Sequence, residues 1–107
     1  MKHTISYFNN GQKHVEEYVN DYNNHILYHR LDGPAYATWY MDGKKQNEEY
    51  YVDGKCHRLD GPAYSYWDTD GSLQNIEYWI NDRQYTKEKW LIKIRKSKLK
   101  KLSELVQ

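Results

Sequence analysis

Aromatic and polar side chains alternate with a period of two along most of the chain, in short runs separated by turn residues. Residues 36–41 form one aromatic run, an Asp-Gly pair follows it, and residues 46–52 form a second run before another Asp-Gly pair. Period two is typical of β-strands, and Asp-Gly favours hairpin turns because glycine tolerates positive φ. The same order recurs in residues 64–82. The pattern predicts an antiparallel meander of at least five strands.

An exact internal repeat sets the period of this meander. The octapeptide HRLDGPAY occupies residues 29–36 and recurs without change at residues 57–64, 28 residues later. Repeats of this length predict units that stack on their neighbours. We expect a single domain, 1–107, with full units at 29–56 and 57–85 and a degenerate N-terminal hairpin unit at 1–28 that carries an insert around residues 22–26. Further matches at the same spacing join Trp39 to Trp67, Asp42-Gly43 to Asp70-Gly71, Asn47 to Asn75, Glu49-Tyr50 to Glu77-Tyr78 and Val52 to Ile80.

Alternation puts aromatic side chains on both faces of the predicted sheet. Ala35, Ala37 and Trp39 share one face, whereas Tyr36 and Tyr40 share the other. A small sheet buries one face only, so the second row of tyrosines either packs under another element or faces solvent.

The period changes at Thr86, where an N-cap residue opens a stretch without Gly or Pro that reaches the end of the chain. This stretch predicts a basic amphipathic helix at 86–107, with an apolar arc of roughly 200°. One interpretation has Trp90, Leu91 and Ile94 dock on the sheet while the distal turns fray. The other has the distal apolar residues meet a partner or a second copy of the chain. Those residues are Leu99, Leu102, Leu105 and Val106.

Composition narrows the class of protein. There are 12 Tyr and 4 Trp, so aromatic rings must supply much of the core. The single cysteine, Cys56, cannot form an internal disulfide, which favours a reducing compartment. The longest apolar run is far shorter than the roughly 20 residues of a membrane span, and residues 1–10 lack the apolar core of a secretory signal. We expect a cytoplasmic protein without a membrane segment.

Charge is divided along the chain. Residues 1–85 carry 8 basic and 13 acidic side chains, whereas residues 86–107 carry 8 basic and 2 acidic ones. This division argues against a uniformly basic nucleic-acid-binding domain. The tail alone could contact phosphates or an acidic protein.

The repeated His-Arg-Leu-Asp invites a catalytic interpretation, with a histidine as base and an aspartate that orients it. A repeat array places equivalent residues in parallel positions, however, whereas an active site needs different groups that converge on one point. The structural alternative is that Asp32 and Asp60 cap the Gly-Pro turns, the arginines pair with them or with glutamates, and the histidines pack between units. Cys56-His57 is one adjacent pair without a second pair at metal-ligand spacing. We therefore expect that the protein is not an enzyme and that it has no metal site and no cofactor.

The turns, the aromatic return strands and the octapeptide together resemble MORN-like hairpin repeats. More closely, HRLDGPAY is similar to the His-Arg-x-Asp-Gly-Pro-Ala repeats of small proteins from bacteriophages and large DNA viruses. The resemblance covers about residues 5–92 and implies an antiparallel hairpin-repeat fold, a viral source and a function without catalysis. It implies no ligand, because such families have no catalytic residues to carry over.

Three classes of function follow. The first is a protein-binding module, in which one aromatic face and the basic helix bind a host protein, such as a CRISPR effector or another defence protein, and block it. The second is nucleic-acid binding by the helix with stacking tyrosines, against which the acidic body counts. The third is a structural subunit that dimerises through the helix. The candidate partner-binding residues are Tyr36, Tyr40, Tyr51, Tyr64, Tyr66, Trp79, Lys89, Lys93, Lys96, Lys100, Leu102 and Leu105.

Overall fold

A computed structural model describes residues 1–106 and shows ten strands followed by one helix. The predicted antiparallel meander with a single C-terminal helix is confirmed, and residue 107 of the predicted helical segment lies outside the described residues. The elements are β1 (Lys2–Tyr7), β2 (Lys13–Tyr22), β3 (His25–Tyr28), β4 (Tyr36–Trp39), β5 (Lys45–Glu49), β6 (Tyr51–Val52), β7 (Lys55–Cys56), β8 (Tyr64–Trp67), β9 (Leu73–Ile80), β10 (Arg83–Tyr85) and α1 (Lys87–Leu105).

One antiparallel sheet runs through the molecule in the order β1-β2-β4-β5-β8-β9-β10, with β3 also paired to β2. The β6-β7 hairpin forms a small sheet of its own. It is equivalent to β2-β3 and to the β9-β10 hairpin, so each unit ends in a short second hairpin. The tips of these hairpins hold residues with positive φ, which Asn, Asp and Gly tolerate best. They are Asn23-Asn24, Asp53-Gly54 and Asn81-Asp82.

The extra residues of the N-terminal unit lengthen its second hairpin. Val19 pairs with Tyr28, whereas Tyr51 of the next unit pairs with Cys56. The N-terminal hairpin is therefore four residues longer, two in each strand, and the extra length lies at its tip. The insert therefore does not change the pairing of the following strands.

The two faces of the sheet differ in chemistry, because neighbouring residues of a strand point to opposite sides. Glu17, Tyr36, Glu49, Tyr64 and Glu77 are successive cross-strand partners and form one row. We call the side that carries this row the glutamate face. The next residue along each return strand points the other way, and we call that side the helix face because α1 packs on it.

Three tyrosines on the helix face are each covered by one side chain. The Arg30 guanidinium lies 4.0 Å from the ring centre of Tyr18, and Arg58 lies 4.0 Å from that of Tyr50. In the last unit the Trp90 ring takes this place, 4.9 Å from the ring of Tyr78. The first buried residue of the helix thus substitutes for the arginine of a further repeat. Between these stacks the helix face has small buried residues, namely Ala35, Ala37, Ala63 and Ser65.

Each copy of the octapeptide links its unit to the next one through a set of hydrogen bonds made by its arginine and histidine, which we call the clasp. Arg58 donates from Nε to Asp60 at 2.8 Å and from a terminal nitrogen to the Pro62 carbonyl at 3.1 Å. Its backbone N–H donates to the Trp79 carbonyl of the next hairpin. The His57 Nδ1 atom accepts the N–H of Asn81 at 3.0 Å. The first copy repeats these bonds through Arg30 and His29.

This arrangement confirms the predicted Arg-Asp pairs and the histidines between units, but the proposed turn-capping role of the aspartates is wrong. The carboxylates of Asp32 and Asp60 bind the guanidinium of the residue two positions earlier and are otherwise exposed. The physical reason is that each guanidinium folds back over its Gly-Pro turn, where its Nε donates to the carboxylate at 2.8–2.9 Å. The stacked arginine, not the aspartate, is the centre of each clasp.

Helix α1 begins as predicted, with the Thr86 side chain accepting the N–H of Lys89. Trp90 and Ile94 are buried, and the Trp90 indole donates to the Arg58 carbonyl at 3.2 Å. The expectation that Leu91 also docks is wrong, because Leu91 lies about 100° around the helix from Trp90 and is 36% exposed. Two side chains, rather than three, anchor the helix.

Candidate functional site

The docked side of α1 continues past Ile94 along the two octapeptide loops. Ser97, Lys98 and Lys101 follow Trp90 and Ile94 at helical spacing and line a groove between the helix and those loops. The two loops are 28 residues apart in sequence, and their stacking in the array places them side by side beneath the helix. The repeat and the helix therefore build the groove together.

The groove has a volume of about 680 Å³ and a largely apolar lining. Its apolar groups come from Tyr50 and Val52 of the sheet and from Leu31 and Leu59 on the side of the two loops. Leu31 is 80% exposed, so this side of the groove is open to water. A cleft of this size is large enough to receive one or two side chains of another molecule.

The charged side chains that line the groove give it an excess of positive charge. The bonds from Arg30 and Arg58 hold the pKa values of the Asp32 and Asp60 carboxyls below their usual range, so both pairs are ionised and internally matched. Within the described residues, Lys98 and Lys101 form no salt bridge.

His57 adds no charge to the groove near neutral pH. Burial lowers the pKa of His57, and its Nδ1 already accepts a backbone N–H. Both effects favour the neutral ring.

A second feature lies on the outer surface of α1. We call it the apolar strip; it consists of Leu91, Ile92, Leu99 and Leu102. Leu99 and Leu102 are 65% and 59% exposed, and Leu105 beyond them is 80% exposed. The strip has two apolar pairs, Leu91 with Ile92 and Leu99 with Leu102, and Arg95 lies between them on the same side of the helix. No other element of residues 1–106 covers it.

The predicted lysines occupy a third side of α1. Lys89, Lys93, Lys96 and Lys100 follow helical spacing as expected, but they do not line the groove. Lys93 lies 5.3 Å from the ring centre of Tyr85. The cations of the groove, Lys98 and Lys101, were not among the candidates. Counting eight and eleven residues from Trp90 would have placed them on the docked side of the helix.

The predicted aromatic set lies together on the glutamate face. Tyr36, Tyr40, Tyr51, Tyr64, Tyr66 and Trp79 are all half-buried, rather than exposed as the binding hypothesis assumed. Three of them donate hydrogen bonds within the chain. The Tyr51 hydroxyl donates to Glu49 at 2.5 Å, the Trp79 indole to Glu77 at 2.9 Å, and the Tyr40 hydroxyl to the Trp67 carbonyl at 2.7 Å.

Rings on this face also pack against each other. The Tyr28 ring lies 5.6 Å from that of Tyr36 and 5.5 Å from that of Tyr51. Burial, together with the neighbouring Glu17 carboxylate, raises the pKa of Tyr28 to about 12. Tyr28 donates to Glu17 at 3.1 Å and Tyr51 donates to Glu49, so both phenols stay protonated.

The aromatic set and the helix are therefore on opposite sides of the sheet. The Tyr18, Tyr50 and Tyr78 side chains under the clasps and the helix belong to one face, and the candidate aromatics belong to the other. The two parts of the predicted binding surface therefore do not form one continuous surface. The physical reason is the two-residue period, which sends adjacent aromatic residues such as Tyr50 and Tyr51 to opposite sides.

Cys56 is buried in the small β6-β7 sheet. Burial and the nearby Glu49 carboxylate raise the pKa of its thiol to about 12, so the thiol is protonated at neutral pH. The adjacent His57 ring bonds to Asn81 rather than to the thiol.

No protein-family model, curated protein or solved structure matches this chain. Among residues 1–106, no helix has the length and apolar character needed to cross a membrane.

Proposed function

We propose that this chain is a protein-binding module. Its helix binds an apolar surface with an acidic rim on another protein. The observation that carries the proposal is the apolar strip, exposed on a helix that Trp90 and Ile94 fix to the sheet. Apolar side chains on a rigid element lose little conformational entropy when a partner covers them, so their burial contributes directly to affinity.

Charge complementarity indicates what surrounds the apolar part of the partner. Lys98 borders the strip on its groove side, and Lys96 and Lys100 border it on the other. Residues 86–107 carry 8 basic and 2 acidic side chains, so a partner with carboxylates around an apolar centre fits this surface. The groove beside the strip offers a further 680 Å³ for a projecting side chain.

The resemblance noted above extends this proposal to its biological setting. It predicts a viral source and a host protein that is blocked when the helix covers its functional surface. A role without catalysis belongs to the same prediction, since the helix and the strip act by contact alone.

Capture from a lysate of a candidate host, followed by affinity measurement on the identified protein, tests the proposal. Leu99→Gln with Leu102→Gln should weaken binding at least tenfold, because each loses the burial of a leucine side chain, about 1.5–3 kcal/mol. Met41→Gln is the matched control: Met41 is also 59% exposed but lies in the β4-β5 turn, and its replacement should leave affinity unchanged.

Two results would contradict the proposal. Unchanged affinity in the double leucine variant would move the interface to the glutamate face. Capture that nuclease treatment abolishes, together with a steep fall in binding to a fluorescent DNA 20-mer as salt rises, would support the nucleic-acid alternative.

A further inference from the structure

The sheet ends at β9 with an edge that the inner strands do not have. Residues 15–17 of β2 pair with β4, and the equivalent residues 47–49 of β5 pair with β8. Their counterparts in β9, residues 75–77, pair with β8 on one side and, within the described residues, with no strand on the other. The third unit thus presents the surface on which a following repeat would be built.

Equivalent residues show that this edge lacks a neighbour. Asn47 is 7% exposed in β5, where β8 covers it, whereas Asn75 at the same position of β9 is exposed. Ile76 is 38% exposed for the same reason. In addition, the backbone N–H groups of Tyr18 and Tyr50 donate to the Ala35 and Ala63 carbonyls of the following units. After β10 the chain enters α1 instead of a further octapeptide loop and strand.

The opposite end of the sheet is β1, which pairs only with β2. Thr4 of β1 pairs with Glu17 in the same way that Tyr36 pairs with Glu49 and Tyr64 with Glu77. In position, β1 is therefore equivalent to the strands that begin the inner units. Strand directions alternate across the sheet, so β1 of another copy would run antiparallel to β9.

We propose that the chain associates head to tail, with β1 of one copy added to the β9 edge of the next. Continuing the register of the inner junctions places Thr4 opposite Glu77 and Ile5 opposite Ile76. The two isoleucines form an apolar cross-strand pair where the inner junctions have Glu-Ala and Glu-Ser pairs. The contact is heterologous, so it does not close and each added copy exposes a new edge.

The geometry also sets the strength of this contact. The ladder between copies spans three residue pairs, and the Arg-Tyr clasp of the inner junctions is absent, because Trp90 occupies its place over Tyr78. Helix α1 contacts β9 through Trp90 on Tyr78, and Asn75 and Ile76 of the β9 edge remain exposed. Association should therefore be weak and should appear at high protein concentration.

Sedimentation velocity of the full chain between about 10 µM and 1 mM tests the proposal. The weight-average mass should rise with concentration from the monomer value of 13.0 kDa without a plateau at a dimer. Ile76→Glu and Ile5→Lys should each hold the protein at 13.0 kDa. Mixing these two variants should restore association, because their interface then pairs a lysine with a glutamate.

Leu73→Glu is the matched control, since Leu73 is an exposed apolar residue of the same strand outside the three-residue contact. It should associate like the unmodified chain. A synthetic peptide of residues 1–8 should cap the β9 edge and lower the mass.

A monomer at 1 mM, a closed dimer, or unchanged association of Ile76→Glu would overturn the proposal. Loss of association in the variant with Leu99→Gln and Leu102→Gln alone would instead assign self-association to the helix.

Discussion

The arginine stacked on Tyr50 allows the stability cost of replacing the octapeptide glycine to be predicted. A Cβ atom added at Gly61 would lie 2.8 Å from the Arg58 Cζ atom and 3.0 Å from a terminal nitrogen. The guanidinium cannot move toward the sheet, because the Tyr50 ring lies beneath it at 4.0 Å. Gly61→Ala must therefore displace Arg58 from the clasp.

The cost follows from the contacts that displacement breaks. The cation-π contact contributes about 0.5–2 kcal/mol, and the bond to the Pro62 carbonyl about 0.5–1.5 kcal/mol. The pair with exposed Asp60 adds little after solvent screening. Replacing glycine by alanine returns about 0.4–1 kcal/mol by restricting the unfolded chain. We expect Gly61→Ala to lower the free energy of unfolding by about 1–2 kcal/mol.

A double-mutant cycle tests whether Arg58 causes this loss. In the Arg58→Ala background, Gly61→Ala meets no guanidinium and should be neutral or stabilising by up to about 1 kcal/mol. Urea unfolding followed by tryptophan fluorescence measures all four proteins. Gly71→Ala is the control: a Cβ there meets nothing within 4 Å, but φ is +89°, so its cost should not depend on Arg58. An equal cost of Gly61→Ala in both backgrounds would refute the clasp.

Two further predictions concern the helix and pH. Trp90→Ala should lower the free energy of unfolding by about 3–5 kcal/mol, whereas Leu91→Ala should cost less than about 1 kcal/mol; equal losses in urea unfolding would show that both side chains dock. Burial lowers the pKa of His57 in the folded protein, so below the unfolded value of about 6.5 the unfolded chain binds more protons than the folded one. The free energy of unfolding therefore decreases as the pH is lowered. His57→Asn, whose side-chain oxygen can accept the Asn81 N–H, should lose less stability between pH 7 and pH 5.5, and an identical pH dependence in both proteins would contradict this role.

Local patterns in the sequence determined the elements. The two-residue alternation and the Asp-Gly pairs predicted the hairpins, and Thr86 predicted the start of the helix, because strand periodicity, turn conformation and helix capping depend on a few neighbouring residues. The 28-residue repeat predicted that equivalent residues have equivalent neighbours. Alternation also placed the candidate aromatic residues on one common face, as the structure has them.

Tertiary structure decided which of these residues are accessible and which lie together. Nothing local specifies that the helix folds back over the face of Tyr50 rather than that of Tyr51, and this choice separates the aromatic set from the helix. The same choice brings Lys98 and Lys101 to the octapeptide loops and leaves Leu99 and Leu102 in solvent. The direction of the helix depends on Trp90, which fills the position of a missing arginine over Tyr78. Such a long-range substitution becomes visible only when the units are stacked.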